Sequence, residues 1–207
     1  MLLPHVIRGK TTEQKTFLRT PAQYDEKGIV LLNGRTVVEI DARRRIARMD
    51  DGSEITFGKL LIATGGTPRQ LECPGGDDEV VLSFQTIEDA RKILAASHGA
   101  AVTVGGGFIA LEFIMSFAHL GAPVTAILRG DGFFSRVLDK ASSRMLATHM
   151  EGNGVTLVRR AEVKAIERRG LSRAVHLSTG AEISAEAVGV GDAGDQGVED
   201  PGVVVAV

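Results

Sequence analysis

The sequence predicts an α/β protein: a parallel sheet with helices on both faces, joined to a β-meander. Three observations predict it. The β-branched run Val102-Thr103-Val104 is followed by Gly105-Gly106-Gly107 and then by an apolar stretch of helical period. A second apolar run, Pro123 to Leu128, comes one helix length later. Residues 162–191 then repeat, as a pattern, what residues 36–66 already spell.

The first observation carries the most chemistry. Val102 to Val104 read as a buried parallel strand, and Phe108 to Leu120 as the helix after it. Strand, glycine turn, helix is the phosphate-binding corner of a dinucleotide fold. Gly105 permits the tight turn, Gly107 lets a pyrophosphate approach the backbone, and Ala110 sits where helix and strand pack closely. The free N–H groups and positive dipole end of the helix then face the phosphates. Gly105, Gly106, Gly107, Phe108, Ile109 and Ala110 are therefore candidate nucleotide-binding residues, with an ordinary strand-to-helix turn as the alternative.

The second strand bears on which nucleotide. An acidic residue near its end, about 20 residues past the glycines, would hold the ribose hydroxyls of NAD. That place holds Leu128, then Arg129, Gly130 and Asp131, with Arg136 a few residues on. Guanidiniums at 129 and 136 suit a ribose 2′-phosphate, which a carboxylate would repel. NADP(H) is preferred to NAD(H), the alternative being two solvated loop arginines.

The third observation divides the chain. Val37, Ile40 and Asp41 precede arginines, the turn Asp51-Gly52 and the apolar run Leu60 to Ala63, which ends at Thr64-Gly65. Val163, Ile166 and Glu167 likewise precede arginines, the turn Thr179-Gly180 and the run Val188 to Gly191. Each copy is a strand pair joined at a tight turn, followed by a strand that ends on glycine. Only the second copy follows a complete glycine-turn unit.

Composition agrees with an α/β globule and excludes several functions. The chain has 207 residues, 43% of them hydrophobic, and 25 glycines, enough for one large or two small domains with a core. A formal net charge of −2 gives no reason to expect nucleic-acid or membrane binding. Arg43-Arg44-Arg45 and Arg159-Arg160 read as solvated strand or turn faces. No apolar run approaches the roughly 18 residues that span a bilayer, and the start is not a signal peptide, so the expected compartment is the cytoplasm. With Cys73 as the only cysteine there is no internal disulfide or cysteine-rich metal site, and His98, His119, His149 and His176 lack ligand spacing. No metal is expected.

Leu61-Ile62-Ala63-Thr64-Gly65-Gly66-Thr67-Pro68-Arg69 and Gly105 through Glu112 together resemble the paired signatures of the two-dinucleotide-domain flavoprotein oxidoreductases. These are the FAD-dependent pyridine nucleotide-disulfide oxidoreductases, in their ferredoxin, rubredoxin and nitrite reductase branch. Leu18-Arg19-Thr20-Pro21 and the strand-like Gly28 to Leu32 fit that branch, and the resemblance runs from about Leu3 to Gly191. It implies a Rossmann-like FAD/NAD(P)-binding fold and hydride transfer from nicotinamide C4 to flavin N5, then to an electron acceptor that is not identifiable from the sequence. It also implies that Val163 and Gly191 join the NAD(P)H residues, and that Val37, Ala63, Thr64 and Gly65 belong to the FAD side. Phe108 matches the aromatic that covers the nicotinamide pocket. Glu112 matches a glutamate beside nicotinamide and flavin whose lysine partner is replaced here by His5, with Lys10 nearby.

The departures shape the rest of the expectation. The family's first glycine motif, which holds the FAD pyrophosphate, is absent from these residues. Residues 1–75 are therefore expected to be a partial FAD-binding domain, residues 76–191 the NAD(P)H-binding domain, and 192–207 the start of a return to the FAD domain. Leu71 to Glu79 reads as the linker. FAD is not expected to be retained by this chain, and unpaired strands favour a homodimer or strand-swapped assembly. The tail Gly189 to Asp195 reads as a last strand running into a loop. Three functions follow: an NADPH-preferring flavoprotein reductase, a stand-alone NADP(H)-binding module without catalysis, or a remnant that binds no cofactor.

Overall fold

The structure, a computed structural model, describes residues 2–96, 98–135 and 137–191, and the backbone of 205–206. In chain order the elements are helices α1 (Leu3–Ile7) and α2 (Pro21–Asp25) and strands β1 (Val37–Asp41), β2 (Ile46–Met49), β3 (Glu54–Thr56), β4 (Leu61–Ile62) and β5 (Val81–Leu82). Then come α3 (Ile87–Ala95), β6 (Ala101–Val104), α4 (Phe108–His119), β7 (Val124–Leu128), α5 (Lys140–Gly152) and β8 (Thr156–Arg159). The chain ends with β9 (Val163–Arg169), β10 (Ser172–Leu177), β11 (Glu182–Ala185), β12 (Ala187–Val190) and β13 (Val205–Ala206). The described residues form two compact units, one of 2–16 with 68–191 and one of 17–67 with 205–206.

The larger unit is built on a five-stranded sheet in the order β5-β12-β6-β7-β8, parallel at every pairing. The strands are apolar on both sides, as a sheet covered on both faces requires. On one face Ala101, Val124, Ala126 and Leu128 pack with Phe113, Ile114 and Phe117 of α4, Ile93 of α3, Ala147 of α5 and Leu3 and Ile7 of α1. On the other, Val102, Ile127 and Val188 meet Ile166, Val175 and Leu177 of the meander β11-β10-β9. The helices thus gather on one face, and the meander takes the place on the second that helices were expected to fill. Thr86 caps α3 with a capping box, its Oγ1 accepting from the Asp89 N–H while the Asp89 carboxylate accepts from Thr86 N–H at 2.8 Å.

The expected linker is fastened to this meander. Ile166 N–H donates to Pro74 O (2.8 Å), and a Cβ on Gly75 would collide with the Ile166 carbonyl. Arg173 of β10, only 2% exposed, donates through Nε to Asp78 (2.9 Å) and through its terminal nitrogen to Glu79 (3.1 Å).

The smaller unit holds the antiparallel meander β1-β2-β3 and an antiparallel pair of β4 with β13, Leu61 opposite Ala206. Its hairpin turns at Asp51-Gly52, where Gly52 has φ +82° and Asp51 accepts from Ser53 N–H at 3.0 Å. The corresponding turn of the larger unit is at Thr179-Gly180, with Gly180 at φ +84°. Both halves of the sequence repeat therefore fold as strand pairs. Arg43 to Arg45 make an exposed turn, with Arg45 at φ +56°. Ile29 to Leu32, strand-like in composition, join no ladder among the described residues. A strand needs a neighbour for its N–H and C=O groups, and the Ile29 N–H instead closes α2 on Tyr24 O. No helix among the described residues is long and apolar enough to cross a membrane.

Candidate functional site

At the carboxyl edge of the parallel sheet the chain leaves β6 toward β7 on one side while β12 lies on the other. Such a reversal in strand order opens a crevice at the strand ends. Gly105 leaves β6 at φ +117°, a conformation that favours glycine, and its N–H donates to Ile127 O at 3.0 Å. Gly107 is the N-cap of α4 and offers no side-chain cap, so the first-turn N–H groups face outward unoccupied by the helix's own side chains. Gly191, at the end of β12, donates to Val104 O at 2.8 Å, and a Cβ on it would fall 2.5 Å from the Cα of Ala110. Ala110 is fully buried there, and Ile109 packs against the helix-side core.

A cleft of about 410 Å³ opens over this turn. Gly105, Gly106 and Gly107 floor it, Leu128 at the end of β7 and the following Arg129 and Gly130 form one wall, and Gly132, Phe134 and Ser135 close the far side. The loop after β7 is firmly held. Phe134 N–H donates to Gly106 O (2.8 Å), Ser143 Oγ donates to the carbonyl of buried Phe133 (2.7 Å), and Phe134 itself stands at φ +51°. The Phe108 ring, 78% exposed, lies 4.6 Å from that of Phe134 at 60°. One turn along α4, Glu112 is half-buried, and its Oε2 is enclosed without a hydrogen-bond partner among the described residues. His5 and Lys10, the expected partners, are both exposed and make no bond to it.

The structure thus brings Gly105, Gly106, Gly107 and Arg129 onto one cleft, with Phe108 reaching it through Phe134 and with Ala110 and Gly191 packed beneath. Val163 does not line it: the residue opens β9, half-buried against the meander-side core. Arg136 lies outside the described residues, as do Asp192 to Asp195. Val37, Ala63, Thr64 and Gly65 belong to the smaller unit. Ala63 and Gly65 are exposed, and a Cβ on Gly65 or Gly66 would meet nothing within 4 Å. The two sets differ in what they can hold. A cleft floored by glycines at a helix start fits a dinucleotide pyrophosphate; among the described residues the 63–65 segment lines no comparable cleft.

Two features escaped the sequence. Phe134 reads as one of two ordinary aromatics, since a left-handed φ at a non-glycine residue leaves no compositional trace. The Asp131–Arg160 pair joins residues 29 apart, on loops after neighbouring strands. Among the described residues no group of three or more His, Cys, Asp or Glu could hold a metal ion.

Comparison with known proteins gives a consistent picture. The sequence model of the family described as pyridine nucleotide-disulphide oxidoreductase matches residues 1–196. The chain is 36% identical over 193 residues to the ferredoxin–NAD(+) reductase component of the p-cumate 2,3-dioxygenase system of Pseudomonas putida, which takes in 92% of this chain and 47% of that protein. It is 30% identical over 190 residues to the assimilatory nitrate reductase electron transfer subunit of Bacillus subtilis (strain 168), with 91% and 25% covered. Among solved structures, the covalent putidaredoxin reductase–putidaredoxin complex superposes with a TM-score of 0.85 at 27% identity, over 92% of this chain and 48% of that one. The chain spans between a quarter and a half of the length of these relatives.

Proposed function

The chain belongs to the pyridine nucleotide-disulphide oxidoreductase family, and from that premise we propose that it serves an NAD(P)H-dependent flavoprotein oxidoreductase, with residues 76–191 binding NADP(H) in preference to NAD(H). One observation carries the reading: the three-glycine turn at the start of α4 opens onto a cleft of about 410 Å³ whose wall carries Arg129. The uncapped N–H groups of the first turn of α4 would hold the pyrophosphate, and the bare backbone at Gly106 and Gly107 would leave room for its approach. Arg129, with Arg136, takes the 2′-phosphate. Phe108 would cover the nicotinamide end with Glu112 beside it, and Gly191 supports the turn from beneath, whereas Val163, expected among these residues, stands apart in β9. Bound there, the dihydronicotinamide supplies a hydride from C4; the chain's own residues bind, orient and exclude water. Residues 17–67, with Val37, Ala63, Thr64 and Gly65, are the FAD side in this reading; residues 2–16 and 68–75, expected with them, pack in the larger unit instead, and the expected return segment 192–207 falls largely outside the described residues. Relatives named for ferredoxin and putidaredoxin support an electron-carrier protein as the acceptor.

A second reading has an observation of its own. Among the described residues a Cβ on Gly65 or Gly66 meets nothing within 4 Å, and in this reading the chain is an NADP(H)-binding module without catalysis. The visible spectrum of the purified chain, after incubation with FAD and desalting, separates the two. A flavin band that stays with the protein and bleaches on anaerobic addition of NADPH supports the oxidoreductase; a colourless chain that still binds NADPH leaves the module. A chain that binds neither cofactor overturns both.

A further inference from the structure

Asp131 lies between Gly130 and Gly132, which both line the cleft after β7, and is the only carboxylate in the sequence from Arg129 to Leu138. A carboxylate in such a place accepts ribose hydroxyls and repels a ribose 2′-phosphate, so on charge alone Asp131 opposes an NADP(H) site. The structure turns it elsewhere. Arg160, after β8, donates through Nε to the Asp131 carboxylate. Arg159 Nε donates to the Asp131 carbonyl at 3.2 Å, Arg160 N–H to Gly130 O at 3.2 Å, and Ala161 N–H to Leu128 O at 3.1 Å. Four bonds thus close the loops after two neighbouring strands on one another. Arg160 holds a left-handed backbone (φ +54°) to do so, a conformation that persists only where its surroundings over-determine it. The nearby carboxylates are answered in the same way, Glu151 by Arg159 at 2.9 Å and Glu162 by Lys164 at 3.0 Å.

We propose that Arg160 is a positioning residue for nucleotide choice: by holding and neutralising the Asp131 carboxylate it keeps the adenosine end of the cleft open to a 2′-phosphate. The inference rests on the NADP(H) reading of this cleft. The Arg160 guanidinium beside Asp131 holds its carboxyl below the usual carboxylate range, first through the hydrogen bond and then through its charge, so the two meet as an ion pair at neutral pH. The pair is some three-quarters exposed on both sides, and so exposed a pair adds little to stability. Its consequence is the sign of the field at the cleft.

The test is isothermal titration of NADPH and NADH into the wild type, Arg160→Ala, Arg160→Lys, Asp131→Ala and the double Arg160→Ala/Asp131→Ala variant. Arg160→Ala is expected to lower the NADPH-to-NADH affinity ratio by about tenfold, less at high salt. Arg160→Lys retains much of the ratio, and the double variant restores it because the unanswered carboxylate is gone. An unchanged ratio in Arg160→Ala overturns the inference while leaving the NADP(H) reading intact. So does a double variant as impaired as Arg160→Ala, which would mean that Arg160 meets the phosphate itself. A wild type that binds neither nucleotide overturns the reading and the inference together.

Discussion

The Cα of Gly191, at the end of β12, packs so closely on the first turn of α4 that a Cβ there would strike the backbone nitrogen of Ala110 and come within 2.8 Å of its Cβ. Backbone cannot yield as a flexible side chain does, so Gly191→Ala must push α4 off the sheet. The expected cost is about 1–3 kcal/mol, as for other overpacked sites. NADPH affinity should fall with it, because the same displacement carries the helix start away from the glycine turn. Urea unfolding and NADPH titration of the variant check both; wild-type stability would contradict the packing argument.

Gly107→Ala separates packing from binding. Its φ of −98° is open to any residue, and a Cβ would stand 3.8 Å from the Gly191 carbonyl, an ordinary contact. Stability should change by less than about 0.5 kcal/mol. NADPH affinity should nonetheless drop by about tenfold or more, since on the proposed reading the methyl would crowd the pyrophosphate's approach to the backbone. Equal affinities for wild type and variant would remove the phosphate from this turn.

Asp78→Ala should destabilise the larger unit by about 3 kcal/mol, because it leaves the buried guanidinium of Arg173 with Glu79 and the Ser172 carbonyl alone. The same pair sets a pH dependence. The hydrogen bond from Arg173 holds the Asp78 carboxyl below the usual carboxylate range, against the opposing pull of burial. A depressed native value contributes stability that is full above the unfolded value, about 3.9, and is lost as pH falls through the lower native one. Unfolding free energy measured from pH 6 down to pH 2 should therefore lose less in Asp78→Asn than in the wild type. Parallel curves would show that the ion pair does not couple to folding.

What the sequence reveals and hides here follows from distance along the chain. The turn at Gly105–Gly107, strands β6 and β7, helix α4 and the hairpins at Asp51-Gly52 and Thr179-Gly180 are local patterns, legible because period and turn chemistry are set by neighbouring residues. Nothing in the local sequence sets Arg173 apart from other arginines, and only its approach to Asp78, 95 residues away, makes it a buried clamp. Ile29 to Leu32 have a strand's composition and find no ladder, because pairing is decided by a partner and not by propensity. Arg129 and the glycines could be assigned to one cleft from spacing alone. Phe134 and Arg160 could not, since each takes a left-handed backbone that its residue type does not announce.

The most direct test of the account is the equilibrium titration of NADPH, and of NADH at matched ionic strength, into the purified wild-type chain. The account predicts saturable binding of one nucleotide per chain, about tenfold or more tighter for NADPH, a difference of about 1.4 kcal/mol, with the preference lost in Arg129→Ala. Absence of binding by either nucleotide, or a preference that Arg129→Ala leaves untouched, would contradict it.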